Sequence, residues 1–223
     1  MSLGRALKRA GENPGLALTV GLALLRGQYY RLWFRLRGQR VVIGSRFQVQ
    51  GKLDIRGPGT VIFGDRCQVI SSRLAPTTPF THAKDAVIRF GDEVLLTGTR
   101  LGCQGRIEVG NRTGLADCRI MDTDFHRPEA REGRRYDTGG RARPILIGEN
   151  VWVGAGAMVL KGVKIGDNAV VGAGSVVVGN VPRDAVVFGN PARVIWRFPA
   201  ARPAAAAALA EPALQSSPGR AER

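Results

Sequence analysis

The sequence predicts an all-β solenoid: short parallel strands wound into coils of about eighteen residues, preceded by a basic helical segment and followed by an Ala/Pro-rich tail. Three observations predict it. First, segments recur at a fixed offset. Val153-Gly154-Ala155-Gly156 returns as Val171-Gly172-Ala173-Gly174, and Ile147-Gly148-Glu149-Asn150 returns as Ile165-Gly166-Asp167-Asn168, both 18 residues on. Second, aliphatic residues fall every six positions through Ile147, Val153, Val159, Ile165, Val171 and Val177. No amphipathic α-helix has that period, whereas strands that turn every six residues do. Third, aromatics make up only 6% of 223 residues while glycine accounts for 30, a composition suited to tight corners rather than to a helical bundle.

Taken in chain order, residues 1–40 form a basic segment with eight Lys and Arg against one acid, Glu12. Tyr29, Tyr30, Trp33 and Phe34 sit among Arg31, Arg35 and Arg37. Two readings of this segment stand side by side: an amphipathic helix resting on an anionic membrane surface, or a basic helix packed on the end of the domain. The apolar run Leu16 to Leu25 lies behind Arg5, Lys8 and Arg9 as in a signal peptide, but no small-x-small cleavage site precedes Arg26. It is also far short of the ~20 residues that span a bilayer.

Residues 41–198 carry the repeat. An apolar-Gly-polar phrase appears at Ile43-Gly44, Phe63-Gly64, Phe90-Gly91, Val109-Gly110, Ile147-Gly148 and Ile165-Gly166. The successive offsets are 20, 27, 19, 38 and 18, which describes equal coils with loops extruded from some of them. Residues one coil apart stack at about 4.8 Å, so the apolar positions form an internal ladder. A single coil cannot bury that ladder and a stack can. The ends need covers, supplied by residues 1–40 and by the segment after Pro182. Residues 199–223, Ala/Pro-rich with scattered charge, read as a disordered tail.

Lys and Arg total 33 against 18 Asp and Glu, a net charge of +15 that calls for an anionic partner. Nucleic acid is disfavoured: there is no helix-turn-helix signal, no RNA-binding aromatic motif and no helical basic region. Cys67, Cys103 and Cys118 are odd in number and make no CxxC pair, which supports neither a disulfide framework nor a zinc finger and suggests a reducing compartment. Two histidines, His82 and His126, are too few for a three-histidine zinc site. No metal is expected.

The run from Ile147-Gly148-Glu149-Asn150-Val151-Trp152-Val153-Gly154-Ala155-Gly156 to Gly189-Asn190-Pro191-Ala192-Arg193-Val194-Ile195 resembles the bacterial hexapeptide-repeat acyltransferases, in particular the maltose/galactoside-type and polysaccharide O-acetyltransferases. The resemblance is strong over about 109–197 and weaker over 41–108. It implies a left-handed parallel β-helix, against the right-handed crossovers that general rules favour. It also implies a homotrimer and acetyl-CoA as acyl donor. The implied activity is acetyl transfer to a hydroxyl of a sugar or saccharide intermediate in cell-envelope polysaccharide biosynthesis, in the cytoplasm; the membrane reading of residues 1–40 would add peripheral contact to the inner face of the membrane. The alternatives are an N-acetyltransferase on an amino sugar and a non-catalytic anion-binding β-helix.

The largest excess lies between Val109 and Ile147, and long loops in compact domains are often functional. His126 stands at its root, in Met121-Asp122-Thr123-Asp124-Phe125-His126. An alcohol is a poor nucleophile at neutral pH, and an imidazole with a pKa near ~6.5 can take its proton. The resemblance gives that role to His126. If this stretch is extended, Asp122, Asp124 and His126 share one face; Asp124 is then the residue that orients the ring, and Asp122 faces the acceptor. His82, in a second insertion over Ser71 to Ala86, is a further candidate to line the acceptor site, against the alternative of an idle loop histidine.

The resemblance also assigns Ala155 and Ala173 to backbone contact with pantetheine, Trp152 to the wall of the thioester pocket, and Arg193 to a CoA phosphate. Many relatives carry Thr-Lys-Asp where this chain has Val178-Gly179-Asn180, so Arg183, Arg193 and Arg197 are the candidates to supply the missing charge.

Overall fold

The computed structural model describes residues 14–72, 74–126, 134 and 139–199. Its body is a left-handed parallel β-helix, a three-sided prism. The first face stacks six strands: Val41–Ile43, Thr60–Phe63, Val87–Phe90, Arg106–Val109, Ile145–Ile147 and Lys164–Ile165. The second runs from Gln48–Gln50 through Gln68–Ile70, Leu95–Thr97, Gly114–Ala116, Trp152–Val153 and Val170–Val171 to Ala185–Gly189. The third holds Thr78–Thr81, Arg100–Cys103, Arg119–Met121, Met158–Val159 and Val176–Val177.

The offsets read from the repeated phrase are the registers of the ladder. Ile43 pairs with Phe63, Phe63 with Phe90, Phe90 with Val109, Val109 with Ile147, and Ile147 with Ile165. Alternate side chains point inward, so each coil contributes a few buried aliphatics, each worth roughly 1.5–3 kcal/mol against exposure. In the early coils the ladder is aromatic: the rings of Phe47 and Phe63 lie 4.9 Å apart, and those of Phe63 and Phe90 4.8 Å apart.

The edge between the first and second faces explains the repeated phrase. At Gly44, Gly64, Gly91, Gly110, Gly148 and Gly166 an added Cβ would lie 2.4–2.5 Å from an atom of the next coil, so only glycine fits. Two residues later the chain turns through a left-handed conformation at Arg46, Arg66, Glu93, Arg112, Asn150 and Asn168, and again at Asp184. Each such residue costs about 1–2 kcal/mol. Side-chain ladders along the same edge offset this. Asp65 accepts from the Ser45 N–H and Asp92 from the Asp65 N–H, while Asn168 bridges Asn150 and Asp184. From the last inward residue of the first face to the inward residue of the second is always six positions, from Ile43–Val49 to Val181–Val187. All length variation falls at the other two edges.

One end of the prism is covered by α1 (Pro14–Leu36), which packs on the strands Val41–Ile43 and Gln48–Gln50. Proline suits its first turn. It stops in a Schellman turn: Gly38 is left-handed, its N–H donates to the Arg35 carbonyl, and the Gln39 N–H donates to that of Phe34. Ala23, Gly27 and Phe34 are buried against the solenoid, and the Tyr30 hydroxyl accepts from the Leu53 N–H at 3.1 Å. At the other end, Ala185–Gly189 turns back on Ala192–Arg197 as an antiparallel pair.

One expectation needs correction. The second insertion, Ser71 to Ala86, is not a single extruded loop. Its Thr78–Thr81 is a strand of the third face, paired with Arg100–Cys103. It escaped the repeat because it reads Thr-Pro-Phe-Thr, without the corner phrase. Most of the polar stretch after His126 and all of the tail beyond Pro199 lie outside the described residues. The three cysteines are free and buried, and burial pushes the thiols of Cys67 and Cys118 up to about 11 and about 12. They are protonated packing groups at neutral pH.

Candidate active site

The long insertion leaves the solenoid at the edge between the third and first faces, and its base is stitched shut. The Arg143 N–H donates to the Asp122 carbonyl at 2.8 Å, and the Gly162 N–H donates to the Arg143 carbonyl at 3.1 Å. Lys161 pairs with the Asp124 carboxylate. The Gly139 N–H reaches back to the Phe125 carbonyl at 3.4 Å. His126 therefore sits exposed on a short neck tied to the fourth and fifth coils.

Three expectations about this segment change. Asp122, Asp124 and His126 do not share a face: Asp122 and the adjacent Thr123 are both buried, so the alternation already fails there, and Phe125 is left-handed (φ 60°) just before His126. Asp122 is fully buried. One of its oxygens accepts from the Gln104 N–H at 2.7 Å and the other from the N–H groups of Gly105 and Arg106 at 2.7 and 2.8 Å. It is an internal tie, with no oxygen turned to an acceptor. Asp124, among the described residues, pairs with Lys161 rather than with the imidazole. Lys161 was missed from the sequence; the signal available was that the next copy of the repeat has Gly179 in its place.

His82 follows the strand Thr78–Thr81 and is not on a free loop. Its ring packs 4.1 Å from Phe80 and 4.5 Å from Phe125, so both histidines of the chain stand at one edge, linked by the Phe125 ring. That ring lies over Gly102, whose added Cβ would meet it at 2.8 Å. Phe80, His82, Arg100, Arg119, Met121 and Phe125 line a cleft of about 340 Å³ on the third face. Arg100 and Arg119 are in register on adjacent strands, and neither meets a carboxylate among the described residues. A larger cavity of about 690 Å³, which shares Thr78, Phe80 and Arg100, continues toward the first coil.

Although much of the ring is exposed, partial desolvation against the Phe80 and Phe125 rings holds the His82 imidazole below the ordinary histidine value, with the Asp122 charge opposing the shift. The fold thus favours the neutral ring. Stability linked to His82 is complete above about pH 6.5 and is lost as pH falls through the depressed folded value. By proton NMR His82 is expected to titrate below the free-histidine midpoint; a midpoint at or above it would contradict the packing between Phe80 and Phe125.

The residues assigned to the acyl carrier lie elsewhere on the prism. Trp152 is half exposed, and the Cε3–Cζ3 edge of its ring abuts Gly114 of the preceding coil, where a Cβ would be 2.6 Å from Cε3. Ala155 and Ala173 are exposed one above the other at the edge between the second and third faces. The Gly174 N–H donates to the Ala155 carbonyl at 2.8 Å, so that carbonyl is already used within the ladder. Arg193 pairs across the terminal hairpin with Phe188, whose ring lies over Gly172, and so it stands beside the Ala173 step. Arg183 does not join them. It lies at the edge between the first and second faces, bonded to Asp184 at 2.9 Å. Gly114→Ala is expected to lift Trp152 off its seat and change its fluorescence emission while leaving the coils folded. Unchanged emission would mean that the ring has another rest position.

Residues 144–179 match the family described as bacterial transferase hexapeptide (six repeats). The coils after the long insertion are hexapeptide repeats. Nodulation protein L of Rhizobium meliloti is 64% identical over 89 residues, covering 40% of this chain and 48% of that protein. Galactoside O-acetyltransferase of Lactococcus lactis is 42% identical over 91 residues, covering 40% of this chain and 42% of that enzyme. The matches to these curated relatives span less than half of their length. Among solved structures, a mutant of AntD, an N-acyltransferase from Bacillus cereus in complex with dTDP and coenzyme A, superposes with a TM-score of 0.54 at 17% identity, over 73% of this chain and 87% of that one. At that identity the likeness is one of fold. The hexapeptide coils are thus common ground, and the neck carrying His126 joins the last two of them to the earlier ones.

Proposed function

We propose that this hexapeptide-repeat protein is an acetyl-CoA-dependent O-acetyltransferase whose acceptor is a sugar or saccharide intermediate of cell-envelope polysaccharide synthesis. The observation that supports it most directly is the exposed imidazole of His126 on a neck anchored to the solenoid by Asp122, Arg143 and Lys161. Beside it runs a cleft with aromatic walls and two arginines that meet no carboxylate among the described residues. Phe80 and Phe125 offer apolar rings to the flat face of a sugar, while Arg100 and Arg119 suit a phosphate or carboxylate on the acceptor.

In the reaction the imidazole of His126 accepts the proton of the acceptor hydroxyl as its oxygen attacks the thioester carbonyl. The carbon–sulfur bond breaks, and the imidazolium gives its proton to the departing thiolate. Asp124, neutralised by Lys161, acts by holding the neck rather than by sharing the proton. Arg193 and the backbone at Ala155 and Ala173 would bind the carrier, with Trp152 against its thioester end. Within one chain these groups and His126 occupy different edges, separated by the third face, so the reading implies that one copy supplies the carrier ledge and its neighbour the base. Such sharing needs an oligomer, and the family resemblance makes it a homotrimer. The donor points to the cytoplasm as the place of action.

The test is an acceptor screen with acetyl-CoA, reading free thiol release. Release that depends on an added saccharide, with an ester-linked acetyl in the product, supports the reading. An amide product would make it an N-acetyltransferase, and no acceptor-dependent thiol with any saccharide class would sink it.

A further inference from the structure

Helix α1 is apolar on two opposite faces, and only one of them is covered. At 100° per residue, Ala23, Gly27, Tyr30 and Phe34 fall together and face the solenoid. Leu18, Leu22, Leu25, Tyr29, Leu32 and Leu36 fall together on the far side, in steps of four and three. That outer row runs about 27 Å along the helix. It is open along its whole length: Leu18 is 65% exposed, Leu25 67% and Leu36 75%. Trp33 is exposed at its margin, stacked on Tyr29 and under the Arg37 guanidinium at 5.1 Å. A leucine row of this size marks a surface that is covered in use.

We propose that the outer face of α1 docks on an anionic lipid bilayer, lying in the plane of the headgroups. Charge decides the occupant. The helix contains Arg26, Arg31 and Arg35 and no acidic residue. Arg26 and Arg35 are exposed on opposite flanks of the leucine row, placed to meet lipid phosphates as the leucines enter the acyl boundary. A second copy offers nothing to neutralise them: pairing the row with itself sets arginine against arginine, in chains that each carry +15. Tyr29 and Trp33, apolar rings with a polar tip, suit the same boundary. No helix among the described residues is long and apolar enough to cross a membrane, so contact is at the surface. The proposal does not rest on the chemistry at His126, and its test reads no catalysis.

The full chain is mixed with vesicles of phosphatidylcholine alone, or of phosphatidylcholine with phosphatidylglycerol, and sedimented. Binding to the anionic vesicles, weakened by salt, is expected. Leu22→Ser with Leu25→Ser should weaken it at least ~10-fold with unchanged circular dichroism and melting, because both side chains are outside the core. Arg26→Gln with Arg35→Gln should weaken it by roughly fivefold for each charge, on the phosphatidylglycerol vesicles only. No sedimentation of the wild type with either vesicle overturns the proposal, as does a double-leucine variant that binds as well as the wild type. A lipid-free assembly that the leucine variant dissociates would make a second copy the occupant and overturn it equally.

Discussion

Replacing His126 by alanine is expected to lower kcat/KM for acetyl transfer by roughly 10²–10⁴-fold while the protein melts as before. The side chain is exposed, so its loss opens no cavity. The neck that carries it is held by other groups, namely the Asp122–Arg143 main-chain bond and the Lys161–Asp124 pair. The loss should fall on kcat, because the imidazole acts on a proton in flight and contributes little to holding either substrate. Steady-state kinetics by thiol release, with melting measured on the same sample, separates the outcomes. A variant with wild-type rate removes His126 from the chemistry, and a rise in KM alone would make it a binding residue.

The largest effect on stability is expected at Asp122. Asp122→Ala should cost about 3 kcal/mol or more in urea unfolding. Its carboxylate, itself fully buried, accepts from three main-chain N–H groups in succession, at Gln104, Gly105 and Arg106. Alanine takes that acceptor from all three at once. Asp122→Asn, which keeps one oxygen and turns an NH₂ toward donors, should recover only part of the loss. Activity should fall in both variants, since the neck bearing His126 begins at this residue. An alanine variant as stable as the wild type would show that the turn is held by something other than this carboxylate.

The solenoid was legible because its signal is redundant. An inward aliphatic at one coil predicts another 18 or so residues away, and six copies of the corner phrase fix the registers from Ile43 to Ile165. The insertion and the histidine at its root were legible as departures from that rhythm. The local geometry of the site was not. The parity that put Asp122, Asp124 and His126 on one face assumes extended backbone, and the chain leaves it twice, where the adjacent Asp122 and Thr123 are both buried and where Phe125 turns left-handed. Long-range partners were hidden for a related reason. Lys161 meets Asp124 across 37 residues, and Trp152 rests on Gly114 across 38, distances set by the length of an insertion with no period of its own. His82 was placed in a loop because its strand, Thr78–Thr81, lacks the corner phrase that marks the others.

The fixed count of six residues between the first and second faces has a consequence for how this chain can change. One added residue between Val109 and Leu115 would turn Leu115 outward and detune the left-handed ladder at Arg112, spoiling alignment with the coils on both sides. Residues added between Asp122 and Arg143 leave every contact downstream where it was, because the two ends are already joined there. The molecule thus separates a corner that meters the winding from margins that can be lengthened or replaced, beside His126 among them, without re-solving the packing of the prism.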